Sequence, residues 1–148
     1  MTIKRTDSSN SDFQDLVKLL DQDLAVRDGD EHAFYHQFNA IDMLKNCVLF
    51  YVHEKPVACG AFKKFEEDTV EIKRMFVLPE YRGNGYASKI LTELENWAKN
   101  EGFKFSVLET GVKQPEAMAL YRKNGYDLIP NYGQYIGIEN SVCYKKML

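Results

Sequence analysis

Apolar and polar positions recur with two different periods along this chain, and the switches between them mark its elements. Phe13, Leu16, Leu20 and Leu24 stand at helical spacing. They follow the polar run Thr6–Asp12, in which Ser11 and Gln14 are placed as in a capping box. A second helix is predicted over Glu31–Phe38, burying Phe34 and Phe38. Three strand-like runs come next, Cys47–Val52, Val57–Phe62 and Val70–Leu78. The turns HEKP and EEDT that separate them are short, so an antiparallel meander is predicted. Ala87, Ile90, Leu91, Leu94, Trp97 and Ala98 then form one apolar helix face, which Gly102 brings to an end. The run Phe103–Glu109 is a strand entered from a helix, which implies a βαβ crossover and a parallel pair. Pro115 suits the first turn of another helix, and Gly125 closes it. Strands at Tyr126–Ile129 and Val142–Met147 complete an α/β pattern with one mixed sheet.

Composition narrows this only a little. With 148 residues, 45% of them hydrophobic, the chain can bury the core of one domain, taken as residues 1–148. A net charge of −3 argues against a nucleic-acid binder that works through bulk positive charge. The cysteines number three, an odd count, and are widely spaced without a CxxC pair, so buried free thiols in a reducing compartment are expected. The start MTIKRTDSSNSD has no apolar leader-like run, and no apolar stretch is long enough to span a bilayer. A soluble cytoplasmic protein, not a membrane protein, is the expectation. His32 and His36 share a predicted helix face, but HExxH and a third ligand are missing, so no metal site is expected.

One stretch asks for more. EYRGNGYASKI, Glu80–Ile90, joins a strand pattern to a helix pattern with a cation followed by two glycines. The first amides of a helix have no partners within it and carry partial positive charge. Gly83 and Gly85 allow close approach, Ala87 keeps the first turn slim and Arg82 adds charge, so the junction reads as a cradle for a phosphate-like anion. It is not a dinucleotide fingerprint: Ser88 stands where a third glycine belongs, and the motif follows a meander in mid-chain. No GK[ST] follows, so it is not a P-loop either.

VLPEYRGNGYASKIL resembles the acetyl-coenzyme A signature of the GNAT N-acetyltransferase family, [RQ]xxGx[GA], with Arg82, Gly85 and Ala87 at the defining positions. EIKRMFV before it resembles that family's central strand, and EAMALYRKNGY resembles its second signature, AxxLYxxxGF. The resemblance implies a GNAT-like α/β domain whose mixed sheet is splayed in the middle, with helices on both faces. It implies acetyl-CoA as donor, held by Arg82, Gly83, Asn84, Gly85, Tyr86 and Ala87, with the pantetheine arm along the backbone of Met75, Phe76 and Val77. Gln114 stands where many relatives have Asn and is assigned to the cofactor with them.

In this family an amine attacks the thioester directly. A lysine-like amine, of pKa about 10.4, must first lose its proton, at a cost of roughly 4–5 kcal/mol at neutral pH. Glu71 is the first candidate base and Glu109 the second, while a salt bridge with Lys73 or Arg74 is the plain structural reading of Glu71. A backbone amide near Phe76 or Val77 would face the developing oxyanion. Tyr121 matches the tyrosine that in many relatives donates to the leaving sulfur; packing with its hydroxyl on a carbonyl is the alternative. Tyr132 and Tyr135 lie amid glycines as a substrate wall or a rigid turn. The implied activity is N-acetyl transfer to a primary amine of a small molecule or peptide, against a non-catalytic coenzyme A-binding module. The oligomeric state stays open, a homodimer included.

Overall fold

The computed structural model describes residues 1–28 and 43–148. The helix expected over Glu31–Phe38, with His32 and His36, lies outside the described residues. A seven-stranded sheet organises the rest, in the order β1-β2-β3-β4-β5-β7-β6. Strands β1 (Thr2–Thr6), β2 (Asn46–Val52), β3 (Lys55–Glu66) and β4 (Thr69–Val77) are antiparallel neighbours. β5 (Phe105–Gly111) lies parallel to β4, and β7 (Ser141–Met147) runs antiparallel between β5 and β6 (Asp127–Ile129). The helices are α1 (Ser11–Asp28), α2 (Tyr86–Asn100) and α3 (Pro115–Lys123). The expected meander, crossover and mixed sheet are all present.

Two local expectations change. β1 did not stand out in the sequence, because it is an exposed edge strand with one strongly apolar residue, Ile3. The N-cap of α1 is Asn10, not Ser11: Asn10 Oδ1 accepts from the amides of Asp12 and Phe13 at 2.9 and 3.2 Å. Gln14 reaches back instead to the carbonyl of Ser8.

α1 and α2 cover opposite faces of the sheet. Phe13, Leu16, Val17 and Leu20 of α1 are buried, and Tyr51 of β2 donates to Asp12 at 2.7 Å on that face. Ile90, Leu91, Leu94 and Ala98 of α2 are buried on the other. Gly60 of β3 lies beneath α2, where an added Cβ would come within 2.5 Å of Met75 Sδ and 2.7 Å of Ile90 Cγ2. No helix among the described residues is long and apolar enough to cross a membrane.

The register between β3 and β4 slips opposite Gly60. Cys59 faces Phe76 while Ala61 faces Lys73, so Arg74 and Met75 together oppose one residue. Arg74 sits at φ +61°, the left-handed conformation of a bulge. The bulge breaks the alternation of side chains: Lys73 and Arg74, adjacent in sequence, both project toward the α1 side, and Met75 turns to α2.

Candidate active site

The β4–β5 ladder is short. It pairs Thr69 with Phe105, Val70 with Ser106 and Glu71 with Val107, and then stops. Beyond Glu71, β4 stays with β3, while β5 continues beside β7 as far as Gly111. The bulge at Arg74 strengthens the local twist and carries the end of β4 away from β5. A cleft opens between them, with a cavity of about 100 Å³ lined by Glu71, Lys73, Arg74, Glu109, Gln114 and Tyr121 among others.

At the cleft mouth the chain passes from β4 through a short turn, Pro79–Tyr81, into α2. Gly83 and Gly85 hold positive φ, +82° and +78°, and nothing lies within 4 Å of where their Cβ atoms would be. Gly85 is the N-cap of α2, and no side chain caps the helix. Its first amides therefore receive no side-chain cap. Tyr86 stacks on Phe50 at 4.6 Å between ring centres, and Ala87 is half-buried in the first turn. Asn84 donates to the carbonyl of Tyr81 and so shapes the turn. Arg82 donates from Nε to the carbonyl of Val77 at 2.9 Å, and its guanidinium lies over the Phe76 ring. It thereby ties the cradle to the end of β4. Met75, Phe76 and Val77 form the strand edge that β5 has left.

Gln114 is the N-cap of α3 and lines the cavity. From α3, Asn124 donates to Ser88 Oγ of α2 at 3.1 Å, which joins the two signature segments in space. Tyr121 is 6% exposed and packs edge-on against Tyr126. Burial pushes its hydroxyl above the ordinary phenol range, and the charge of Glu109 adds to that. Its hydroxyl meets no hydrogen-bond partner among the described residues, so the alternative of a hydroxyl seated on a carbonyl is not what is seen.

Glu71 is 2% exposed at the crotch of the cleft. Tyr132 donates to its Oε2 at 2.6 Å, and its Oε1 lies 3.7 Å from Lys73 Nζ and 3.9 Å from Lys63 Nζ. The ion pair with Lys73 is present; Arg74 instead donates to Asp21 of α1 at 2.9 Å. Burial lowers the Lys73 ammonium below its usual range, with Glu71 opposing the shift. Lys73 also donates to the Tyr135 hydroxyl at 3.2 Å. Glu109 shares the cavity and accepts from Ser141 Oγ at 2.7 Å.

The loop with the two tyrosines is not a turn with surface rings: Tyr135 lines the cavity. Tyr135 is 1% exposed, and Tyr132 is held edge-on between Phe65 and Tyr135. The contact between Tyr132 and Glu71 has no signature in the sequence beyond the aromatic-rich loop itself.

Comparison with known proteins agrees with this geometry. The model of the acetyltransferase (GNAT) family matches residues 13–126. An "IAA acetyltransferase" of Azospirillum brasilense is 33% identical over 136 residues, covering 88% of this chain and 89% of that protein. The crystal structure of a proposed acyl-CoA N-acyltransferase from Klebsiella pneumoniae superposes with a TM-score of 0.83 at 27% identity, covering 99% and 97% of the two chains. A GNAT family acetyltransferase from Elizabethkingia anophelis, solved with acetyl-CoA bound, shares the fold at a TM-score of 0.69 and 19% identity, over 99% and 97%.

Proposed function

This chain belongs to the acetyltransferase (GNAT) family, and we propose that it moves the acetyl group of acetyl-CoA directly to a primary amine of a small molecule or peptide, with residues 1–148 acting as one N-acetyltransferase domain. One observation carries the reading. The cleft between β4 and β5 opens beside the uncapped first turn of α2, with both Glu71 and Tyr121 on its lining.

The residues present fit acetyl-CoA. The cradle is open, with no Cβ at Gly83 or Gly85 to block a diphosphate from the amides of α2. The edge of Met75, Phe76 and Val77 has lost its β5 partner and would pair with an extended pantetheine arm. Gln114 would bind from the opposite wall. When bound, acetyl-CoA supplies a thioester-activated acetyl group. A backbone amide near Phe76 or Val77 would stabilise negative charge on its carbonyl oxygen.

Two side chains handle protons. Glu71 is the general base: its carboxylate, fixed by Tyr132, takes a proton from the incoming ammonium. Tyr121 is the general acid: it keeps its proton through neutral pH and offers it to the leaving sulfur. Three free, buried cysteines suit the reducing cytoplasm, where acetyl-CoA is available. The test is acetyl-CoA-dependent thiol release over a panel of amines, beside calorimetric titration of acetyl-CoA. Absence of binding, or binding abolished by no change in the cradle such as Gly85→Val, removes the reading.

A further inference from the structure

The bulge in β4 sets a cation beside the cleft whose partners are incomplete. Arg74 Nη1 donates to Asp21 at 2.9 Å, and the side chain is 3% exposed. Its Nη2 is buried and has no hydrogen-bond partner among the described residues. A buried guanidinium nitrogen without an acceptor is costly, and such groups are normally satisfied. The exception calls for an acceptor that arrives with a ligand. Arg74 lines the same cavity as Glu71 and Tyr121.

We propose that the acetyl acceptor is an amine that also carries a carboxylate, and that Arg74 is the specificity-determining residue that receives this carboxylate. The proposal rests on the acetyl-transfer reading and deepens it. The cavity lining carries charges of both signs, as a zwitterion requires. Glu71 and Glu109 offer carboxylates to an ammonium, and Arg74 offers a guanidinium to an anion. Lys73 is already engaged by Glu71 and by the Tyr135 hydroxyl, which leaves the Arg74 nitrogen as the open donor. A planar, singly charged carboxylate suits an arginine fork. A dianionic phosphate does not suit a cavity whose lining also holds Glu71 and Glu109. The cavity has room for several water-sized groups, which fits the head of a small molecule.

The experiment compares three matched acceptor series with the intact chain: the common L-amino acids, their amides, and the amines left when the carboxyl is removed. Thiol release with saturating acetyl-CoA gives kcat/KM for each, and calorimetry reports acetyl-CoA binding separately. The expected result is a preference for the carboxylate member of at least about tenfold. Arg74→Gln should erase that preference by raising the acceptor KM with the acetyl-CoA Kd unchanged, and Arg74→Lys should restore part of it. Amides or decarboxylated amines used as well as the acids overturn the proposal and leave acetyl transfer standing. So does silence in all three series when acetyl-CoA binds. Failure to bind acetyl-CoA at all instead removes the underlying reading of the cleft, and this proposal with it. If Arg74→Gln does not fold, Arg74→Lys and the wild-type preference still decide.

Discussion

Tyr132 and Glu71, which are 61 positions apart in the chain, meet through a 2.6 Å hydrogen bond from the tyrosine hydroxyl to the carboxylate. The donor comes from a loop beyond β6, and the acceptor from the centre of the sheet. This bond fixes the orientation of a carboxylate that is otherwise held by two ammonium groups at 3.7 and 3.9 Å. Burial, reinforced by the Glu71 charge, raises the Tyr132 hydroxyl well above the ordinary phenol range.

Removing that donor should therefore misplace the proposed base without emptying the cleft. Tyr132→Phe is expected to lower kcat by about tenfold, the order of one hydrogen bond to a charged group. The KM for acetyl-CoA should not change. Steady-state kinetics with the donor varied at fixed acceptor would show the split.

Glu71→Gln tests the base itself. Wild-type turnover should rise with pH as the acceptor amine loses its proton. The variant should turn over about 10²-fold more slowly near neutral pH and recover part of that loss as pH rises, because it depends on amine that is already free in solution. A profile that keeps the wild-type shape would assign the proton to Glu109 or to water.

Tyr121→Phe leaves a ring of the same shape against Tyr126 and Tyr144. Acetyl-CoA should bind as before, while turnover falls at least about tenfold for want of a proton donor. Equal turnover in the two proteins would end this assignment.

Gly60→Ala addresses the floor beneath the bulge. The new methyl would sit 2.5 Å from Met75 Sδ and 2.7 Å from Ile90 Cγ2, and Ile90 is fully buried and has nowhere to go. Overpacking of this kind costs about 1–3 kcal/mol. A lower Tm is expected, together with weaker acetyl-CoA binding if Met75 drags the β4 edge with it.

Alkaline pH should unfold the protein early. Burial, helped by Asp7, pushes the Cys47 thiol from 9.0 up to about 12. The folded chain thus keeps a proton that the unfolded chain releases near pH 9. The associated stability is complete below that point and is lost as pH rises toward 12. A plot of Tm against pH should bend downward above about 9, and Cys47→Ala should make that bend shallower without removing it, because burial raises the Cys59 thiol as well.

Much of this molecule was legible before any coordinates. The sequence patterns predicted β2, β3, β4, α2 and α3 to within a few residues, because the strands are apolar runs buried on both faces and α2 buries one regular face against the sheet. The open turn before α2 was legible because Gly83 and Gly85 state a backbone requirement locally. β1 was not, since an exposed edge strand needs no apolar alternation. The Asn10 cap was not, because several polar residues in a row could each have capped α1.

The sequence by itself determined the fold class, the place of the proposed anion cradle and the candidates Glu71 and Tyr121, since periodicity, glycine placement and short motifs act over a few residues. Only the tertiary structure decided what those candidates touch. The bulge at Arg74 puts Lys73 and Arg74 on one face, a result that strict strand alternation forbids. The Tyr132 loop returns to Glu71, and α3 places Tyr121 across the cleft. Such contacts join residues far apart in the chain, and their geometry is set by how the sheet twists and packs, which no local pattern encodes.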